Sequence, residues 1–120
     1  KTVEYSKTRK QFGTAIGTFQ ALQHRMADMF IECQLARSIV VMAAMKLDSG
    51  DEYIEKTKAV SAAKSRVGKA IFKVGQEAIQ IHGGIGMTNE LDVAHLFKSV
   101  TTAEIMFGDT DYHTARFASL

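Results

Sequence analysis

The chain has 120 residues, no proline, a single cysteine and a formal charge of +2, which suits one domain with one core and excludes an internal disulfide. Fifteen basic residues against thirteen acidic ones give no electrostatic footprint for nucleic acid. No segment is apolar for long enough to span a bilayer, and no Cys/His spacing suits zinc; the lone thiol fits a reducing compartment.

In chain order, Lys1 to Lys10 carries neither a capping signal nor an initiator methionine, and Tyr5 and Arg9 fall four apart, on one helical face. The expectation is a chain that begins inside a helix, as a fragment of a longer protein. The Arg9 to Gly13 segment lacks the lysine-ended glycine pattern of a phosphate loop and follows no strand. Gly13 to Gly17 punctuates the chain, and from Phe19 apolar residues recur at Leu22, Met26, Met29, Cys33, Ala36, Val40, Ala43 and Leu47, in alternating steps of three and four that predict a helix with one buried seam. Thr18 is its expected N-cap. Cys33 lies on that seam and is read as a buried, inert thiol, and Met26, Met29, Met42 and Met45 are read as core filling. His24 is placed on an exposed face.

Ser49-Gly50-Asp51-Glu52 has the form of a capping box opening a second long helix, carried by Val60, Ala63, Val67, Ala70, Val74, Ala78 and Ile81. Its small residues, Ala59, Ala62, Ala63, Gly68, Ala70, Gly75 and Ala78, allow a neighbouring helix to come close. Lys56, Lys58, Lys64 and Lys69 are expected on a solvated face. The helix stops at His82-Gly83-Gly84-Ile85-Gly86, where three glycines strip the backbone bare; His82 is read as a C-terminal histidine favoured by the helix dipole. A helix from Leu91 to about Phe107 and a final one from about Thr110 to Leu120 are separated by Gly108. Tyr112 and Arg116 form a surface pair on the last helix, and His95 and His113 show no partner spacing for a metal. The pattern predicts an all-α fold, an up-down four-helix bundle with a short terminal helix.

Three segments in series, Arg9-Lys10-Gln11-Phe12-Gly13, Phe19-Gln20-Ala21-Leu22-Gln23 and Gln80-Ile81-His82-Gly83-Gly84-Ile85-Gly86, resemble the C-terminal helical domain of the flavin-dependent acyl-CoA dehydrogenases over essentially the whole chain. The resemblance implies the same bundle architecture, an FAD cofactor, an acyl-CoA substrate, assembly into homo- or hetero-oligomers, and an electron-transferring flavoprotein as acceptor. It places Arg9 at the flavin pyrophosphate with Gln11 and Phe12 alongside, Gln80 and Gly84 at the adenosine end, Gly83 among the cofactor-binding residues, and Gln20 near the cofactor. Guanidinium suits phosphate bidentately, and bare glycine peptides can press against a dinucleotide. A bacterial cytoplasmic location is expected in preference to the mitochondrial matrix.

The sequence departs from the family at the base. Many members place the glutamate that takes the α-proton just before a Gly-Thr pair; an ungapped alignment from Gly86 to Gly108 puts Phe107 there, and a phenyl ring accepts no proton. Asp109 lies two residues further on, turned about 200° away on a helix, and is expected to be an N-cap. Lys98-Ser99 stands where the family often has Arg-Asp. The Phe-Gly-Asp-Thr-Asp-Tyr-His run looks like the small subunit of the pimeloyl-CoA dehydrogenases. Three readings follow: a non-catalytic subunit paired with an active one, which is preferred; an active dehydrogenase whose base lies outside this segment; or a helical interaction module that binds no flavin.

Overall fold

The computed structural model describes residues 1–120. Helix α1 (Thr2–Thr8) leads into a hairpin of β1 (Lys10–Gln11) and β2 (Thr14–Ala15), a 3₁₀ turn at Ile16–Thr18, and two long helices, α2 (Gln20–Asp48) and α3 (Tyr53–His82). A second 3₁₀ turn, Gly83–Met87, connects to α4 (Asp92–Ile105) and α5 (Thr110–Ser119). The all-α bundle read from the sequence is present, with α3 as the element against which α1, α2, α4 and α5 all pack.

Small residues explain why α3 can serve four neighbours. A Cβ on Gly75 would sit 2.8 Å from the Phe97 ring of α4, and one on Gly68 would collide with Thr110 Oγ1 of α5. Ala59 and Ala63 meet Ala43 and Ile39 of α2 on another side. Near the C-terminal end of α3, Ile81 joins Ile16 and Met29 in a cluster flanked by Tyr5, Leu22, Met26 and Val74. Ion pairs tie α2 to α3: Arg25 Nε to Glu77 Oε2 at 2.8 Å, and Glu32 to Arg66 at 2.5 Å and Lys73 at 3.2 Å.

Several local expectations are corrected. Thr18 does not cap α2: its hydroxyl donates back to the Ala15 carbonyl at 2.7 Å, and Phe19, which has no capping side chain, holds the N-cap. Ser49 closes α2 instead of opening α3. Its Oγ lies 2.6 Å from the Lys46 carbonyl and from the Asp51 carboxylate, and the N-cap of α3 is Glu52. Arg9 is not on a helical face with Tyr5, because α1 ends at Thr8 and Arg9 is extended, at φ −69° and ψ 124°. Lys64 is more than a solvated cation, since its ammonium donates to the Ala103 and Glu104 carbonyls at the end of α4.

Cys33 is exposed, and so are Met42 and Met45. The inward side of α2 is rotated from the expected seam toward Ile39 and Glu32, which leaves Cys33 and Ala36 along an apolar groove of about 340 Å³ between α2, α3 and α4. Met42 and Met45 lie on the opposite, outer side.

Candidate functional site: a cleft at the end of α3

The end of α1, the β1–β2 hairpin, the start of α2 and the C-terminus of α3 enclose a cleft of about 540 Å³. Arg9, Gln11, Phe12, Gln80, Gly83 and Gly84 all line it. Gln20, the first residue of α2, is exposed and does not line it.

Backbone pairing sets each side chain in place. The Arg9 N–H donates to the Tyr5 carbonyl and the Arg9 carbonyl accepts from Ile16, both at 2.9 Å, so the main chain is held on both sides while the guanidinium stands free. The ion pairs of the chain engage Lys1, Lys7, Arg25, Lys46, Lys58, Arg66 and Lys73; none involves Arg9. The hairpin turns at Phe12 and Gly13, with φ of 54° and 81°, between the paired Gln11 and Thr14. Two positive φ values mark the primed turn in which Asn-Gly is the favoured sequence. Phenylalanine is a poor conformational choice there, and its ring is 93% exposed, edge-on to Phe19 at 6.2 Å.

Across the cleft, Gly83 ends α3 at φ +66°, its N–H reaching the Gln80 and Ile79 carbonyls. A Cβ built on Gly83 or Gly84 would meet no atom within 4 Å, so these peptides face open space. Gly86, by contrast, is packed: its Cβ would lie 2.9 Å from His82 Cβ. The bareness of Gly83-Gly84 is therefore not imposed by packing within the chain. A free guanidinium opposite unobstructed glycine peptides suits a phosphate-bearing ligand with a flat, extended body.

Sequence reasoning missed part of the lining. Tyr5 and His82 are stacked at 4.3 Å, and Phe19 and Arg25 complete the wall. His82 is buried, with Nδ1 2.7 Å from the Ala78 carbonyl; a carbonyl accepts only, so Nδ1 carries the proton and the ring is a fixed part of the floor. The Tyr5 to His82 contact joins residues 77 apart, which no local periodicity could have signalled.

A second locus lies at the α4–α5 turn. Phe107 has φ +61° and an 88% exposed ring. Asp109 Oδ1 accepts the Tyr112 N–H at 2.7 Å, the N-cap expected of it. The two loci are separate: α5 meets α3 at Gly68, twelve residues and about 18 Å of helix before Gln80.

A family model described as the C-terminal domain of acyl-CoA dehydrogenase matches residues 1–119. The chain is 43% identical over 99 residues to the acyl-CoA dehydrogenase IpdE2 of Mycolicibacterium smegmatis, covering 81% of this chain and 29% of that protein. Among solved structures, butyryl-CoA dehydrogenase from Megasphaera elsdenii superposes with a TM-score of 0.90 at 31% identity, and the FAD complex of PigA with 0.88 at 30%. Each of these two matches covers 98% of this chain and 30% of the other. The chain thus spans less than a third of the length of the proteins it matches.

Proposed function

This chain is a C-terminal domain of the acyl-CoA dehydrogenase family, and from that premise we propose that it serves the α,β-dehydrogenation of an acyl-CoA thioester by supplying FAD contacts and assembly surface. The observation that carries the reading is the convergence of Arg9, Gln11, Phe12, Gln80, Gly83 and Gly84 on one cleft. Arg9 binds the pyrophosphate, Gln80 and the bare Gly83 and Gly84 peptides hold the adenosine end, and Gln11 and Phe12 border the phosphates. Gln20 lies beside Phe19 at the edge of the cleft and contributes there only through ligand that extends past the wall. FAD held there would supply the hydride acceptor, with an electron-transferring flavoprotein as the proposed electron acceptor. The bacterial cytoplasm is the proposed setting.

Phe107 occupies the position of the base in this reading, and the neighbouring carboxylate is unsuited to replace it. Asp109 already accepts the Tyr112 amide, an interaction that caps α5 and turns the carboxylate into its own helix. This favours a chain that supports catalysis by a partner subunit.

An anaerobic titration of the protein that carries this domain, purified without partners, with a panel of acyl-CoA thioesters decides the matter. The expected result is bound flavin that stays oxidised with every thioester and bleaches once a catalytic partner is added. Prompt bleaching would place a base elsewhere in the protein and end the supporting-subunit reading. Absence of stoichiometric FAD would leave a helical interaction module.

A further inference from the structure

The α4–α5 turn is more heavily braced than a connection between two surface helices requires. Phe107 and Gly108 both have positive φ, 61° and 95°. For phenylalanine this conformation costs roughly 1 kcal/mol or more, and its ring, 88% exposed, makes no packing contact that would offset the cost. Three side chains nevertheless hold the turn. Glu104 Oε1 accepts the Thr110 N–H at 2.8 Å, Asp109 caps α5, and His113 Nε2 lies 3.0 Å from the Phe107 carbonyl itself.

His113 is 5% exposed, and its other nitrogen, Nδ1, lies 3.4 Å from Oγ of Ser61 on α3, which is fully buried. A carbonyl can only accept, so the Nε2 facing it carries the hydrogen; in the neutral ring Nδ1 is then an acceptor and takes the Ser61 hydroxyl hydrogen. The imidazole therefore relays the rigidity of α3 to one peptide, the one that carries the exposed ring. Gly108 completes the arrangement: a Cβ there would lie 2.5 Å from Tyr112 Cδ1 and 3.1 Å from His113 Nε2, so only glycine lets the histidine approach.

We propose that His113 is a positioning residue which, as the Nε2–H tautomer anchored by Ser61, fixes the left-handed turn so that Phe107 presents an apolar wall to the acyl part of the thioester. The inference deepens the dehydrogenase reading above and rests on it for the identity of the ligand. Strain without internal reward, on a ring turned to solvent and locked from behind, is the pattern of a side chain placed for something outside the chain.

The test uses the protein that carries this domain, with its flavin, in three variants. His113→Gln retains a donor close to the Nε2 position, His113→Leu retains bulk without a donor, and Phe107→Ala removes the ring while leaving the turn. Two readouts are taken: amide hydrogen exchange across residues 104–112, which needs no flavin, and the shift of the oxidised flavin band as a thioester binds, which needs no turnover. His113→Leu is expected to raise exchange about tenfold, the equivalent of one lost hydrogen bond, and to weaken the thioester response, with His113→Gln restoring most of both. Phe107→Ala should leave exchange unchanged and weaken the response by itself.

If His113→Gln and His113→Leu behave alike, or if exchange in the turn is indifferent to both, the positioning role is wrong. If Phe107→Ala responds to thioesters as the unaltered protein does, the ligand-facing role is wrong. A protein that holds no flavin defeats the dehydrogenase reading and with it the ligand, while the exchange measurements still decide whether His113 locks the turn.

Discussion

Three glycines of α3 and the turn that follows it separate folding roles from binding roles. Gly75 is enclosed, with Phe97 at 2.8 Å from a Cβ position and Val100 at 3.5 Å. Gly75→Ala gains helix propensity of about 1 kcal/mol but must displace an aromatic ring at a cost of about 1–3 kcal/mol, so a lower melting temperature is expected; an unchanged or higher value would show that α4 yields freely. Gly83, at φ +66° and ψ −147°, lies in a region essentially confined to glycine and should lose about 1–3 kcal/mol on replacement by alanine from backbone strain alone. Gly84→Ala adds a methyl group to open space at a φ outside the positive range. It is expected to leave melting unchanged or raise it by up to about 1 kcal/mol equivalent, and to lower flavin retention through the lost close approach. Flavin content after gel filtration, compared with thermal melting, checks this variant, and full retention would argue that no ligand presses on Gly84.

The clearest coupling between elements is the buried edge of α2 against α3, where Glu32 faces both Arg66 and Lys73. The Arg66 hydrogen bond is the main influence holding the Glu32 carboxyl below the usual carboxylate range, partial burial works in the opposite direction, and Lys73 adds to the lowering. A carboxyl with a depressed folded-state pKa contributes stability that is complete above its unfolded pKa and is lost as pH falls through the folded value. Glu32→Gln should therefore melt lower than the parent chain at neutral pH, by about 1 kcal/mol equivalent for a partly exposed pair, with the difference closing below about pH 4. A difference that persisted unchanged at pH 3 would assign the effect to packing. Such cross-element pairs were not legible in the sequence, whereas the elements themselves were. The three-and-four spacing located α2 and α3, the glycines located their ends, and the small residues of α3 signalled close packing. The caps were misread because Thr18 and Ser49 each have a nearer carbonyl, at Ala15 and Lys46, for their hydroxyls. The two-residue strands of the hairpin were too short to leave any periodic signal. Arg9 and Gln80 were recognisable from motif resemblance, but Tyr5 and His82, their neighbours in the cleft, required the fold.

At the scale of the whole domain, α2 carries more apolar surface than these 120 residues cover. Beyond the expected seam, a second stripe runs through Ala27, Ile31, Gln34, Ser38, Val41 and Met45 in alternating steps of four and three, and every member is exposed. Phe30, Leu35 and Met42 flank it and are exposed as well. Two apolar sets on one helix make the sequence ambiguous about which is the core, and Met42 and Met45 belong to the outer side, while Cys33 lines the inner groove without being covered. The outer stripe contains no charged residue and covers about 27 Å of helix at 1.5 Å per residue. At a helix width of ~10 Å, that is roughly 300 Å² of uncharged surface, apolar except at Gln34 and Ser38, and apolar patches of that order on a monomer are often functional. Its heptad spacing suits a helix laid nearly parallel, as in bundle interfaces. The double variant Ile31→Glu, Met45→Lys alters side chains that are 52% and 68% exposed, so folding of the chain should be unaffected. Its effect should appear in assembly, as a shift to smaller species in sedimentation velocity at matched concentration. Glu and Lys are fourteen residues apart, about 21 Å along the axis, too far to form a compensating pair within one chain, so the charges would be desolvated unpaired if the face stayed covered. An unchanged sedimentation profile with an unchanged melt would mean that assembly runs through another face.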